Sequence, residues 1–197
     1  MEQQKYLYKE MITEISEKKS RFIGRLFFID KKEQIKDTIK RIRSEYKDAS
    51  HCTYAYIIDD ICGSSDDGEP SGTAGIQILQ ALQTQNINNC LAVVIRYFGG
   101  TLLGASLLLR TYKECALSLV RNCKYYVEEE KRGITIKIPY SMIDIIKYKF
   151  GTCIESENYT EAAIITLILN EEEFENIKQI AGIEITNVGK KVVKKLL

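Results

Sequence analysis

Three carboxylates, three hydroxyls and three glycines fall within eleven consecutive residues, SDDGEPSGTAG at 65–75. Two chemistries are open to such a stretch. Gly72, Thr73 and Gly75 stand where a helix begins, and the free N–H groups and positive dipole end of a helix start favour an anion. Ser71 or Thr73 has the side-chain oxygen of an N-cap. Asp66, Asp67 and Glu69 offer the hard oxygen ligands that a cation such as Mg²⁺ takes, or they can act as bases. Each reading has a plainer alternative: a capped turn shaped by Gly68 and Pro70, and carboxylates left to water. The spacing fits neither a Walker A loop, nor G-x-G-x-x-G, nor an EF-hand, so no cofactor and no metal site is expected.

A second stretch, RYFGGTLLG at 96–104, sets a charged Arg96 at the end of an apolar run, followed by Gly99 and Gly100. Glycines there let backbone approach a ligand closely, and the planar fork of arginine suits phosphate or carboxylate. Alternatively, Arg96 pairs with Asp66, Asp67 or Glu69 and holds two loops together. Both readings require the two glycine-bearing loops to meet. His51 is the only histidine, which restricts acid–base chemistry. A Cys52 nucleophile helped by His51 is disfavoured, because neighbours on a strand point to opposite faces. No G-x-S-x-G elbow is present.

The elements around these stretches follow from periodicity. Residues 5–15 and 21–29 read as two strands joined by the polar turn SEKKS. Ile35, Ile39, Ile42 and Tyr46 mark an amphipathic helix within 31–48. HCTYAYIID (51–59) reads as a strand, IQILQALQTQ as a helix, and CLAVVIRYF (90–98) as a strand buried on both faces. GGTLLGASLLLRTYKECALSLVRN reads as a long buried helix starting at its glycines. The charge cluster YYVEEEKRG (125–133) is expected to close a first domain. From GITIKIPY onward the order is βαββαβ in about 65 residues, the ferredoxin-like arrangement.

The chain has 197 residues and a net charge of +1, which favours no partner by itself. Its distribution is more telling: residues 17–47 carry 11 basic and 5 acidic residues, a local charge of +6. Lys36, Lys40 and Arg43, with Lys32 and Lys47, form a stripe beside the apolar face of that helix. Together with Lys18, Lys19 and Arg21 they can follow a nucleic-acid backbone, or simply extend their stems around the edge of a buried face. KKVVKK at the C-terminus reads as a solvated strand edge. The six cysteines form no C-x-x-C pair, which points to reduced structural thiols. No apolar run is long enough for a membrane span, and the N-terminus lacks the pattern of a secretory signal, so a cytoplasmic protein is expected.

SDDGEPSGTAG and RYFGGTLLG, with KKSRFIG (18–24), HCTYAY (51–56), LLRTY (108–112) and the βαββαβ tail in order, resemble the YigZ/IMPACT family over nearly the whole chain. The resemblance implies an α+β protein of two domains. Residues 1–127 would form an N-terminal domain resembling the second domain of a small-subunit ribosomal protein. Residues 132–197 would form a ferredoxin-like domain similar to the last domain of elongation factor G. It further implies a translational setting, since eukaryotic IMPACT proteins bind a ribosome-associated activator of a stress kinase. Asp66, Asp67, Glu69, Ser71, Gly72, Thr73, Arg96 and Arg110 match the family pattern. Ile76 and Gln77 stand where the pattern has Arg-Pro, Leu102 where it has Lys, and Ser106 and Leu107 where it has glycines.

Two functions of different kinds remain in view. The one adopted is a non-enzymatic binding protein of the translation machinery, with RNA or a ribosome-associated protein as partner. The other is a small-ligand or phosphate-binding enzyme using both glycine-bearing loops.

Overall fold

The structure is a computed structural model that describes residues 4–197. It divides into two compact units, the first ending at Val127 and taking in Leu196–Leu197, the second spanning Glu128–Lys195. In chain order the first unit contains β1 (Lys5–Leu7), β2 (Met11–Glu17), β3 (Ser20–Phe28), α1 (Glu33–Glu45), β4 (His51–Ile58) and β5 (Ile61–Ser65). There follow α2 (Gly75–Gln83), β6 (Ile87–Asn88), β7 (Cys90–Tyr97), α3 (Ala105–Asn122) and the start of β8 (Tyr125–Ile138).

Five strands of this unit form an antiparallel sheet in the order β2-β3-β7-β4-β5. β7 is its centre, and its apolar run is buried from Cys90 through Arg96. Alternation along β7 divides the core. Leu91, Val93 and Ile95 pack with Ile35 and Ile42 of α1, whereas Cys90, Ala92 and Val94 pack with Ile78 and Leu82 of α2 and Leu119 of α3. The sheet therefore has α1 on one face and α2 with α3 on the other. Ile39 and Tyr46 complete the apolar side of α1 as its spacing implies.

Lys18 and Lys19 both adopt positive φ, 44° and 66°, and form the two-residue turn of the β2–β3 hairpin. Such turns have the twist that paired strands require. The expected single strand over 5–15 is broken at Tyr8–Glu10; β1 pairs instead with β6 and with β8. β5 was not expected, because ICGSS has few β-forming residues and pairs only with β4 at the sheet edge. α3 begins at Ala105, so Gly99 and Gly100 lie in a loop and do not open the helix. YYVEEEKRG, expected to close a first domain, contains the boundary between the two units at Val127–Glu128. It is continuous with GITIKI in one strand of 14 residues.

The second unit holds the remainder of β8, a 3₁₀ turn at Tyr140–Met142, α4 (Ile143–Phe150), β9 (Ile154–Tyr159), β10 (Ala163–Leu169), α5 (Glu171–Lys178) and β11 (Glu184–Leu196). Its strands run in the order β11-β8-β10-β9, which with the βαββαβ sequence is the ferredoxin-like topology. Alternate residues Ile134, Ile136 and Ile138, and Ile165, Leu167 and Leu169, meet Ile146 and Phe150 of α4 and Phe174 and Ile177 of α5. α5 starts with a capping box: the Glu173 N–H donates to Asn170 Oδ1 at 2.8 Å, and the Asn170 N–H donates to Glu173 Oε2 at 2.7 Å. Lys190, Lys191 and Lys195 of the C-terminal strand pair with Glu130, Glu155 and Glu129. Among the described residues no helix is long and apolar enough to cross a membrane.

Candidate functional site

The carboxylates of SDDGEPSGTAG go to three different places. Asp66 turns inward along its own loop. Its Oδ2 accepts from the Gly72 N–H at 2.8 Å, and its Oδ1 from the N–H groups of Gly75 at 2.7 Å and Ala74 at 3.1 Å. The donors at the start of α2 are therefore satisfied from within. Burial pushes the Asp66 carboxyl up, but the three N–H bonds together outweigh it and hold it below the usual aspartate value. Of the two readings open to Gly72 and Thr73, an anion cradle or a capped turn, the cradle has its Gly72 N–H already engaged by Asp66. Nor is Ser71 or Thr73 the N-cap. Ala74 holds that position, and the Thr73 hydroxyl donates to the Pro70 carbonyl at 2.7 Å. Gly75 is required here, because a Cβ on it would lie 2.8 Å from the Ser65 backbone.

Asp67 faces the other way. Its Oδ2 accepts from the Cys52 N–H at 2.6 Å, and its Oδ1 from Arg43 of α1. Its carbonyl lies 2.9 Å from His51 Nδ1. Among the described residues, no three of the His, Cys, Asp and Glu side chains converge as a metal site would need. Cys52 and His51 point to opposite faces of β4, and burial pushes the Cys52 thiol up to about 11, which makes it a poor nucleophile.

Glu69 goes into the interior. Its Oε1 accepts from Arg96 Nη1 and from the Tyr112 hydroxyl, each at 2.7 Å, and lies 3.9 Å from His51 Nε2. The side chains of Glu69 and Arg96 are only 3% and 6% exposed. Of the three carboxylates open to Arg96 on sequence grounds, Glu69 is thus the partner. The guanidinium lies 5.4 Å from the Phe22 ring centre and 5.7 Å from that of Phe98. Its Nε is buried and has no hydrogen-bond partner among the described residues. Burial first, and then the bond to Glu69, push the Tyr112 hydroxyl upward, so it stays a donor.

Arg96 floors a cleft of about 550 Å³. One wall is Gly68, Glu69 and Pro70; the other is Phe98 with Leu102–Ala105 and Leu108. The two glycine-bearing loops do meet. Gly99 seats the second loop against the β2–β3 hairpin: a Cβ there would stand 2.1 Å from the Lys19 carbonyl carbon, and its N–H donates to Ser20 Oγ at 3.1 Å. Gly100 and Arg110 are exposed, and Arg110 lines a smaller neighbouring pocket with Lys18. Of the positions that depart from the family pattern, Leu102 is 84% exposed at the cleft mouth. Ile76 and Ser106 are exposed on the first turns of α2 and α3, and Leu107 is half-buried beside Ser106. Gln77 is buried and donates to the Gly72 carbonyl at 3.2 Å.

The basic candidates separate into tied and free charges. Arg21 is held by Glu14 and Arg43 by Asp67. Lys18, Lys19, Lys36 and Lys40 are exposed and have no ion pair among the described residues. Tyr112 is not singled out by the sequence, since a tyrosine four residues after Leu108 and four before Ala116 looks like plain core on a helix. Its only signal was a hydroxyl that a buried tyrosine must satisfy.

Residues 18–120 match the model of the Impact N-terminal domain. IMPACT family member YvyE of Bacillus subtilis is 42% identical over 102 residues, which are 50% of this chain and 47% of that one. IMPACT family member YigZ of Escherichia coli is 35% identical over 141 residues, 69% of each chain. Among solved structures, the crystal structure of a hypothetical protein aligns with a TM-score of 0.62 at 27% identity, covering 94% of this chain and 97% of that one.

Two outcomes follow from this geometry. Arg96→Met leaves Glu69 buried without its cation and is expected to cost about 3–5 kcal/mol in urea unfolding. Adding Glu69→Gln should recover most of that loss; a double variant as unstable as the sum of the singles would contradict the pairing. Asp66→Ala should cost about 0.5–2 kcal/mol at neutral pH, as for a lost cap. The Asp66 carboxyl is lower folded than unfolded, so its contribution is full above the unfolded value near ~3.9. It disappears as pH falls through the lower folded value. The variant's stability should therefore depend less on pH across the acid limb, and an unchanged acid limb would count against the assignment.

Proposed function

The chain belongs to the IMPACT family, and from that premise we propose that it is a non-catalytic binding protein of the translation machinery whose α1 face contacts RNA backbone. The translational setting is the one that the family resemblance implies. The observation that carries the α1 assignment is a groove of about 520 Å³ along that helix, lined by Lys36, Lys40, Arg43 and Lys47 around Ile35, Ile39 and Tyr54. Lys36, Lys40 and Lys47 are exposed and have no acidic partner among the described residues, so their ammonium groups are available to phosphates. Arg43 has a supporting part, because Asp67 already holds it. Tyr54 brings an aromatic face among the lysines, on which an unpaired base can stack. Lys18 and Lys19 add exposed charge at the hairpin turn.

Displacement of counterions by these lysines makes such binding steeply salt-dependent. Co-sedimentation with ribosomes at low and moderate salt tests the reading. Binding should weaken sharply with salt, and the triple variant Lys36→Gln/Lys40→Gln/Lys47→Gln should flatten the log–log salt slope by about 2, at about 0.7 per lost contact. Binding that ignores salt, or none even at low salt, would overturn it.

A further inference from the structure

The start of α3 has the features of an anion site. Gly104 at its N-cap has φ of 74° and no side chain to cap with, and the first turn has no acidic residue. The Leu108 N–H closes on the Gly104 carbonyl at 3.0 Å. The N–H groups of Ala105, Ser106 and Leu107 precede that first helical bond, so no intrahelical acceptor reaches them. This contrasts with α2, whose first N–H groups are taken by Asp66. A helix of 18 residues supplies the full positive dipole end.

A second and independent feature points the same way. Arg96 lines the same cleft as Gly104 and Ala105. It is 5% exposed, gives Nη1 to Glu69, and leaves its Nε buried without an acceptor among the described residues. A buried donor without a partner is costly, and a ligand oxygen would satisfy it. On the far side of the same helix start, Lys18 and Arg110 line the adjoining pocket. Their charges have no carboxylate partner among the described residues. Cationic side chains thus flank the free N–H groups on both sides, Arg96 with its charge balanced by Glu69 and the Lys18–Arg110 shoulder without a carboxylate. Next to them the cleft is apolar: Phe98 and Leu102 are 47% and 84% exposed, with Leu103 and Leu108 behind.

We propose that this cleft binds a small molecule bearing a phosphate group, which sits on the α3 N-terminus within reach of Arg96, while its apolar body lies against Phe98, Leu102 and Leu103. A phosphate is favoured over a carboxylate because several donors converge from the helix start, Arg96 and the Lys18–Arg110 shoulder, and a tetrahedral dianion offers acceptors to all of them. Arg96 is a binding residue here, with its charge balanced by Glu69. Leu102 supplies apolar contact at the mouth. The site lies on the opposite sheet face from α1, so RNA binding and phosphate binding stand or fall separately.

The test uses phenyl phosphate, inorganic phosphate, benzoate and phenol as probes on the full chain, followed by thermal shift and by titration of ¹⁵N-labelled protein. Phenyl phosphate should stabilise the protein in a saturable way, move the amides of Ala105–Leu107, and bind more tightly than inorganic phosphate or benzoate. Ser106→Asp places a carboxylate where the phosphate would sit. The variant should be as stable as the parent or more so, because the dipole favours an acid there, yet lose affinity by about tenfold or more. Arg96→Lys keeps the charge but loses the fork, and should weaken binding while the fold persists. The proposal is overturned if phenyl phosphate moves no amide at the α3 start at millimolar concentration. It is equally overturned if phenol or benzoate binds as well, or if Ser106→Asp binds phenyl phosphate unchanged.

Discussion

A single carboxylate oxygen, Glu69 Oε1, holds together three parts of the first unit that are far apart in sequence. It accepts from Arg96 at the end of β7 and from Tyr112 in α3, while Glu69 itself belongs to the loop before α2. All three side chains are buried. Each alone would be expensive to remove from water, and the arrangement persists because each satisfies another. This sets the geometry of the cleft. With Glu69 drawn inward, the loop forms one wall; with Arg96 fixed by Glu69 and flanked by Phe22 and Phe98, the floor is held in place where the second loop turns over it.

Much of the frame was legible in the sequence, and the reasons differ by element. α1 followed from isoleucines three and four apart, and β7 from an unbroken apolar run that only a doubly covered strand tolerates. The βαββαβ order was visible because its elements alternate cleanly between periods. Other features depend on distant residues. Nothing local distinguishes Asp66, Asp67 and Glu69 as partners of Arg96, since they lie within four residues; the choice is made by where the loop enters the sheet. Asp66 caps α2 from nine residues before Gly75, well outside the Ser71 and Thr73 positions to which local capping rules point. α3 starts at Ala105 because Gly99 is engaged against the β2–β3 turn, which is a tertiary contact with no sequence signature beyond the glycine itself.

The central sheet gives the family fold two chemically different surfaces. On the α1 side, lysines without partners border a groove with an aromatic residue in its lining, suited to an extended polyanion. On the α2–α3 side, a partly apolar cleft holds a buried arginine and a helix start without a cap, suited to one compact anion. Arg43 and Asp67 connect the two, since the pair joins α1 to the loop that walls the cleft. In the second unit Lys190, Lys191 and Lys195 of β11 are paired with glutamates.

The separation of these surfaces is the central claim, and amide mapping tests it most directly. ¹⁵N-labelled protein would be titrated with a short single-stranded RNA and, in a separate sample, with phenyl phosphate. Two disjoint sets of shifted amides are expected, one along residues 33–47 and one at residues 96 and 105–107, and a third sample holding both probes should show both sets unchanged. RNA shifts that centre on the cleft, or competition between the two probes, would contradict the claim.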